Sequence, residues 1–163
     1  MLHRWLAAKN SVKDKLNLFH HNIWSCGEYN QNFTGFDYAS NTKLDLSDEY
    51  HTIGSKCLKM SMLNLNEPYY CEFRSSNKFN ETGKTVTFQA DIDTNYACQI
   101  RIYHYVDAYN INFINVPANS PGTYSITAEI PDNARFILYR VEPRNYDHDD
   151  AFCYTDNWRL IIS

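Results

Sequence analysis

The chain has 163 residues, a length that suits one domain and lets a fold bury roughly 70% of its unfolded surface without a disulfide or a metal. Hydrophobic residues make up 44% and charged residues 21%, which excludes a disordered chain. The net charge is −4 with no block of lysine or arginine, which argues against a nucleic-acid binder, since that needs a basic stripe to displace counterions.

Residues 1–16 stand apart. Trp5, Leu6, Val12 and Leu16 fall at loosely helical spacing with Lys and Asp between them. This segment is expected to be an arm or linker, or else a short packing helix that helps assemble an oligomer. Lys9, Lys13, Asp14 and Lys15 interrupt it, so no apolar core of a secretory signal is visible. No run in the chain approaches the ~20 apolar residues of a membrane span.

From residue 17 to 163 the pattern has period two, the signature of half-buried strands. Leu58, Met60 and Met62 alternate with Lys59 and Ser61, and Tyr69, Cys71 and Phe73 follow the same rule. Val86, Phe88, Ala90 and Ile92 form the next apolar row, then Cys98, Ile100 and Ile102, then Tyr124, Ile126, Ala128 and Ile130. Phe136–Val141 and Phe152–Ile162 are two further apolar runs. Turn residues at Asn80–Gly83, Asp93–Asn95, Pro117–Gly122 and Pro131–Asn133 separate them. Strands at this spacing with no long helix between them predict an all-β, two-sheet antiparallel β-sandwich. With only 5 glycines in the chain, asparagine and aspartate are expected at some turn positions.

Five cysteines, Cys26, Cys57, Cys71, Cys98 and Cys153, show no CxxC or zinc spacing. Several sit in apolar strand patterns and read as buried free thiols. Asn32-Phe33-Thr34 and Asn80-Glu81-Thr82 match the glycosylation sequon, which carries weight only in a secretory context. His148-Asp149-Asp150 reads as a solvated loop rather than a metal site. No GxSxG, HExxH, P-loop or dinucleotide fingerprint is present, so a non-enzyme is expected.

Four segments, taken in order, resemble the galactose-binding-like jelly rolls, in particular the carbohydrate-binding modules attached to xylanases and glucanases. They are His51–Lys59, Gly83–Ala90, Gly122–Pro131 and Phe152–Leu160, the last similar to a closing Tyr-x-Asp-Asp-Val-x-Leu strand. The resemblance spans roughly residues 17–162 and implies a jelly roll that binds a polysaccharide or glycan. It also implies a structural calcium. Asp156 keeps the place of the family's C-terminal calcium ligand, but Asn17–Trp24 lacks the family's N-terminal glutamate. A lone carboxylate is a poor site for an ion that takes ~6–8 oxygens.

Sugar recognition needs aromatic rings for pyranose faces and planar polar groups for hydroxyls. In the strand over 98–106, Gln99, Arg101, Tyr103 and Tyr105 point away from the apolar row, because strand side chains alternate. Arg101, Tyr103 and Tyr105 are the candidate platform, or else a surface covered by a loop or a partner subunit. Gln89 flanks them if its strand is their neighbour. Tyr139 and Arg140 are further candidates of ambiguous parity. Trp158 is expected in the core, while Trp24 and Tyr29 either line a loop-edge site or plug the end of the sandwich. The expected function is non-catalytic glycan binding at an extracellular or virion surface. The alternative is a structural or adhesive domain of a larger assembly, such as a virus tail fibre or cell-surface adhesin, as a homo-oligomer or attached to a larger protein.

Overall fold

The computed structural model describes residues 38–52, 56–76 and 79–163. The expected N-terminal arm, Cys26, Trp24, Tyr29 and the first sequon lie outside them. Ten strands and no helix are present among the described residues. They are β1 (Tyr38–Ser40), β2 (Thr42–Ser47), β3 (Cys57–Met62), β4 (Tyr70–Ser75) and β5 (Thr85–Thr94). They continue with β6 (Cys98–Tyr105), β7 (Tyr109–Val116), β8 (Gly122–Glu129), β9 (Phe136–Pro143) and β10 (Phe152–Ile162). No helix of the described residues is long and apolar enough to cross a membrane.

The strands form two five-stranded sheets, ordered β1-β4-β9-β6-β7 and β2-β3-β10-β5-β8. Every pairing is antiparallel. This is the expected two-sheet sandwich. The core between the sheets comes from the predicted alternating rows. Leu58, Met60, Val86, Phe88, Ala90, Ile92 and Leu160 come from one sheet, and Ile100, Ile102, Ile137 and Val141 from the other, all without exposed surface. Aromatic rings stitch the layers. Trp158 meets Phe88 edge-on at 5.0 Å, and Phe88 meets Tyr139 across the interface at 5.7 Å, arrangements favoured by ring quadrupoles. Cys71, Cys98 and Cys153 are buried free thiols in this core, and Cys57 is a buried free thiol outside it.

Asparagine takes the left-handed turn positions that glycine is too scarce to fill. Asn41, Asn66, Asn80, Asn119 and Asn157 all have positive φ, between 48° and 63°, a region its short polar side chain tolerates. Asn157 does this inside a strand. The β10–β5 register shifts between Asp156 and Arg159, so Asn157 is the extra residue of a β-bulge. Thr155 and Trp158, three apart, can therefore both face inward. The Trp158 indole donates to the Thr155 hydroxyl at 2.7 Å, which satisfies its only polar atom inside the core. Three strands escape the sequence expectation: β1, β2 and β7.

Candidate functional site

The outer face of the β1-β4-β9-β6-β7 sheet carries an unusual concentration of charge and aromatic rings. Strand register sets its layout. Glu72 of β4 lies opposite Arg140 of β9, which lies opposite Arg101 of β6. One residue pair further along each strand, Arg74, Leu138, Tyr103 and Ile111 form the next row, and then Phe136, Tyr105 and Tyr109. The face thus grades from ionic to apolar and aromatic.

The ionic rows form one connected network. Glu72 has no exposed surface and accepts from Arg74 Nε at 2.6 Å and from Arg140 Nε and Nη2 at 2.8 and 2.6 Å. Glu142, also buried, accepts from Arg101 Nη1 at 2.7 Å and Arg140 Nη1 at 3.2 Å, and from Arg144 and the Tyr146 hydroxyl. Arg101 also donates to Gln99, whose amide donates to Asn115 on β7 at 2.8 Å. The Arg140 guanidinium sits 3.6 Å from the centre of the Tyr70 ring and 4.7 Å from that of Tyr103, a cation–π arrangement that strengthens as water is excluded. Burial works against the Arg140 charge, and the Glu72 carboxylate more than offsets it, so its pKa lies above the ordinary arginine value. Burial, then Glu142, push the Tyr146 phenol up to about 12.

Beside this network a cleft of about 570 Å³ crosses the sheet, lined mainly by Tyr70, Arg74, Tyr109, Ile111, Phe136 and Arg140, with Glu72, Tyr103 and Leu138 in its floor. Its size falls within the ~300–1,000 Å³ of small-ligand sites. Tyr109 and Ile111 are more than half exposed along β7, an edge strand of the sheet. Tyr105 stacks face to face on Phe136 at 5.0 Å, with Tyr109 edge-on to the pair.

The predicted site residues fare unequally. Arg101, Tyr103 and Tyr105 do share the outer face, as alternation requires. Of the three, only Tyr103 lines the cleft, and it is 7% exposed with its hydroxyl accepting from Arg101 and Arg140. Arg101 sits behind as a strut, and Tyr105 is at the aromatic end. Two expectations are corrected. Tyr139 points into the core, fully buried, and its hydroxyl donates to the buried Glu81 at 3.2 Å. Arg140 takes the outward position, so its neighbour in the chain must turn inward. Gln89 lies on β5, opposite Ser125 and Arg159 in the other sheet, because β5 and β6 belong to different sheets and are not neighbours. Tyr70, Glu72, Arg74, Tyr109, Ile111 and Phe136 are the site residues that sequence reasoning missed. The Glu72-Phe73-Arg74 alternation and the Tyr109-Asn110-Ile111 alternation were the available signals.

Asp156, which keeps the place of the calcium ligand implied by the resemblance, lies among the described residues, whereas Asn17–Trp24 lie outside them. Asp156 is fully buried on β10, opposite Asp91 of β5. Its oxygens accept from the Thr52 backbone N–H at 2.9 Å, the Thr52 hydroxyl at 3.3 Å and the Asn157 N–H at 2.8 Å. Asp91 accepts from the Thr123 hydroxyl at 2.6 Å, Asn157 Nδ2 at 2.9 Å and the Thr52 hydroxyl. Among the described residues, hydroxyl and amide donors thus meet the two carboxylates. Among the described residues no group of three or more His, Cys, Asp or Glu converges on a metal position.

Comparison with solved structures finds the same fold in carbohydrate-binding modules. A family 16 module superposes with a TM-score of 0.60 at 16% identity, over 77% of this chain and 91% of that one. The C-terminal family 22 module of Clostridium thermocellum Xyn10B gives 0.56 at 14% identity, over 80% and 96%. The enzymatically active domain of tailspike protein 4 of bacteriophage CBA120 gives 0.65 at 10% identity, over 86% of this chain and 22% of that one. No protein-family model and no curated protein matches the sequence. The chain therefore has a carbohydrate-binding-module-like jelly-roll fold, in agreement with the resemblance read from its four segments.

Proposed function

We propose that the domain is a non-catalytic carbohydrate-binding module whose glycan lies in the cleft on the outer face of the β1-β4-β9-β6-β7 sheet. The observation that carries this reading is the cleft itself. Apolar and aromatic side chains, Tyr109, Ile111, Phe136 and Leu138, stand beside fixed guanidiniums in one open groove. Aromatic and apolar groups suit the C–H faces of sugar rings, and planar donors suit their oxygens. Fold analogy adds weight of a weaker kind. The family 22 module binds its ligand with residues of a cleft, and another neighbour is a xylan-binding domain. Arg101, Tyr103 and Tyr105 then act mainly as the frame that holds Arg140 and Tyr109 in place.

The test is affinity electrophoresis of the domain through gels containing a panel of plant, algal and bacterial polysaccharides. At least one should retard it. Tyr109→Ala should weaken that retardation about tenfold, since a ring contact is worth ~0.5–1.5 kcal/mol beyond area burial. Wild-type binding by Tyr109→Ala would overturn the assignment of the cleft.

One observation favours a second reading, an assembly module of a larger surface structure. Tyr109, Ile111 and Phe113 form an exposed apolar row on an edge strand without lysine or proline, and such edges invite pairing with another chain. A stable oligomer on a sizing column, dispersed by Phe113→Lys, would support it.

A further inference from the structure

We infer that Cys98 and Cys153 are a disulfide-forming pair, a modification site that staples the two sheets of the sandwich when the chain folds in an oxidising compartment. Topology brings them together. The strands β5 and β6 are consecutive but belong to different sheets, and residues 95–97 carry the chain across between them. Cys98 is the first residue of β6, on one side of that crossing. Cys153 lies on β10, opposite Thr94, the last residue of β5, on the other side. The turn is tied to the chain beside Cys153. The Asn95 side chain accepts from the Phe152 N–H at 2.9 Å and donates to the Asp150 carbonyl at 2.9 Å, and the Thr94 hydroxyl donates to the Phe152 carbonyl at 2.9 Å. At its other end the Ala97 carbonyl accepts from the Arg144 N–H at 2.7 Å. Ala97 and Phe152, the residues before the two cysteines, are therefore both fixed at this crossing, and the two thiols meet as hydrogen-bond partners.

Surroundings separate this pair from the other described thiols. Cys98 and Cys153 have no exposed surface and share one core cluster. Beyond each other, the two thiols reach the carbonyl of the following residue, at 3.6 and 3.7 Å. Cys71 is in the same cluster, but its thiol donates to the Met60 thioether at 3.5 Å, and Cys57 lies outside the cluster. The Cys98 contact, then burial, hold the Cys153 thiol well above the ordinary thiol value, and it is the thiolate that attacks a disulfide. The folded, reduced pair is thus inert, and the bond forms while the chain folds. A small disulfide such as oxidised glutathione is the oxidant. The Cys153 thiolate attacks one of its sulfurs, giving a mixed disulfide and one reduced glutathione. The Cys98 thiolate then attacks the Cys153 sulfur and releases the second. Two protein thiols are oxidised, one glutathione disulfide is reduced to two thiols, and the two protein protons end on the released glutathione. The bond closes a loop of roughly 55 residues, which restricts the unfolded chain. It also ties β6, which carries Arg101 and Tyr103 of the cleft, to the second sheet.

The experiment refolds the full chain from urea, either in a mixture of oxidised and reduced glutathione or in dithiothreitol, and maps its cysteines by tryptic digestion and mass spectrometry. Cys98 and Cys153 fall in separate tryptic peptides, residues 85–101 and 145–159. The expected product of the glutathione refold is these two peptides joined, lighter than their sum by two hydrogens and separated again by dithiothreitol. The oxidised chain should melt above the reduced one by about 5 °C or more. Cys153→Ala should lose both the joined peptides and the difference between its oxidised and reduced melting temperatures, a comparison made within the variant and so independent of its own stability. Wild-type peptides that stay separate after the glutathione refold, or that join through other cysteines, overturn the pairing whether or not any variant folds. Joined peptides with no rise in melting temperature overturn the staple.

Discussion

Glu72 is the residue on which the outer-face network turns. It is wholly buried, yet both of its oxygens are occupied by arginine. Breaking a buried ion pair from one side leaves the partner charge without compensation, at a cost of roughly 3–5 kcal/mol. Glu72→Gln should therefore destabilise the domain by about that amount in urea unfolding, which makes it a poor binding probe. A change below about 1 kcal/mol would mean that the network is dispensable. Arg74→Gln removes the other side of one pair at a half-exposed position, so its effect on stability should stay near the ~0–1 kcal/mol of surface ion pairs. The two variants separate a structural role from a ligand-facing one within a single constellation.

At the scale of elements, the bulge in β10 decides which side chains reach the core. Straightening the bulge with residue 157 still in the chain would turn either Phe152–Asp156 or Trp158–Ile162 to the opposite face, since a one-residue slip flips every side chain, so the left-handed backbone at Asn157 has to be kept. Asn157→Val, whose β-branched side chain resists that left-handed backbone, should lower the melting temperature while Asn157→Gly should not; a melting curve of Asn157→Val like that of wild type would show that the bulge is incidental. The same periodicity explains what was legible in the sequence. Rows such as Val86-Phe88-Ala90-Ile92 announce themselves because one face is apolar and the other polar, and they predict the sandwich and its core correctly. The strand β7 did not announce itself. Its apolar row, Tyr109-Ile111-Phe113, faces outward, and asparagine, a residue poor in strands, fills the alternate positions Asn110 and Asn112. Tyr139 was ambiguous because Phe136–Val141 is almost continuously apolar, as befits a strand covered on both faces, and only Arg140 reports the parity. Gln89 failed for a different reason. Alternation tells which way a side chain points from its own sheet, but not to which sheet consecutive strands belong, and the Asn95–Ala97 turn carries the chain from one sheet to the other. Half of the cleft, on β4 and β9, is brought to β6 by pairings between residues about 30 to 70 apart in the chain; no local pattern encodes those.

Taken as a whole, the molecule has two outer faces of different character on one apolar core. One carries acids and bases together, with Asp91 and Asp156 held by hydroxyl and amide donors and Lys43, Lys59 and Arg159 on the same sheet. The other collects arginine, tyrosine and an open groove. The central claim is that the second face is the binding face. The most direct measurement is a map of backbone amide chemical-shift changes in the 15N-labelled domain, titrated with oligosaccharides of whichever polymer retards it. The account predicts shifts concentrated at residues 70–76, 103–111 and 136–140, with little change at 85–93 and 123–129. Shifts confined to those latter strands, or to the loops at the ends of the sandwich, would contradict it.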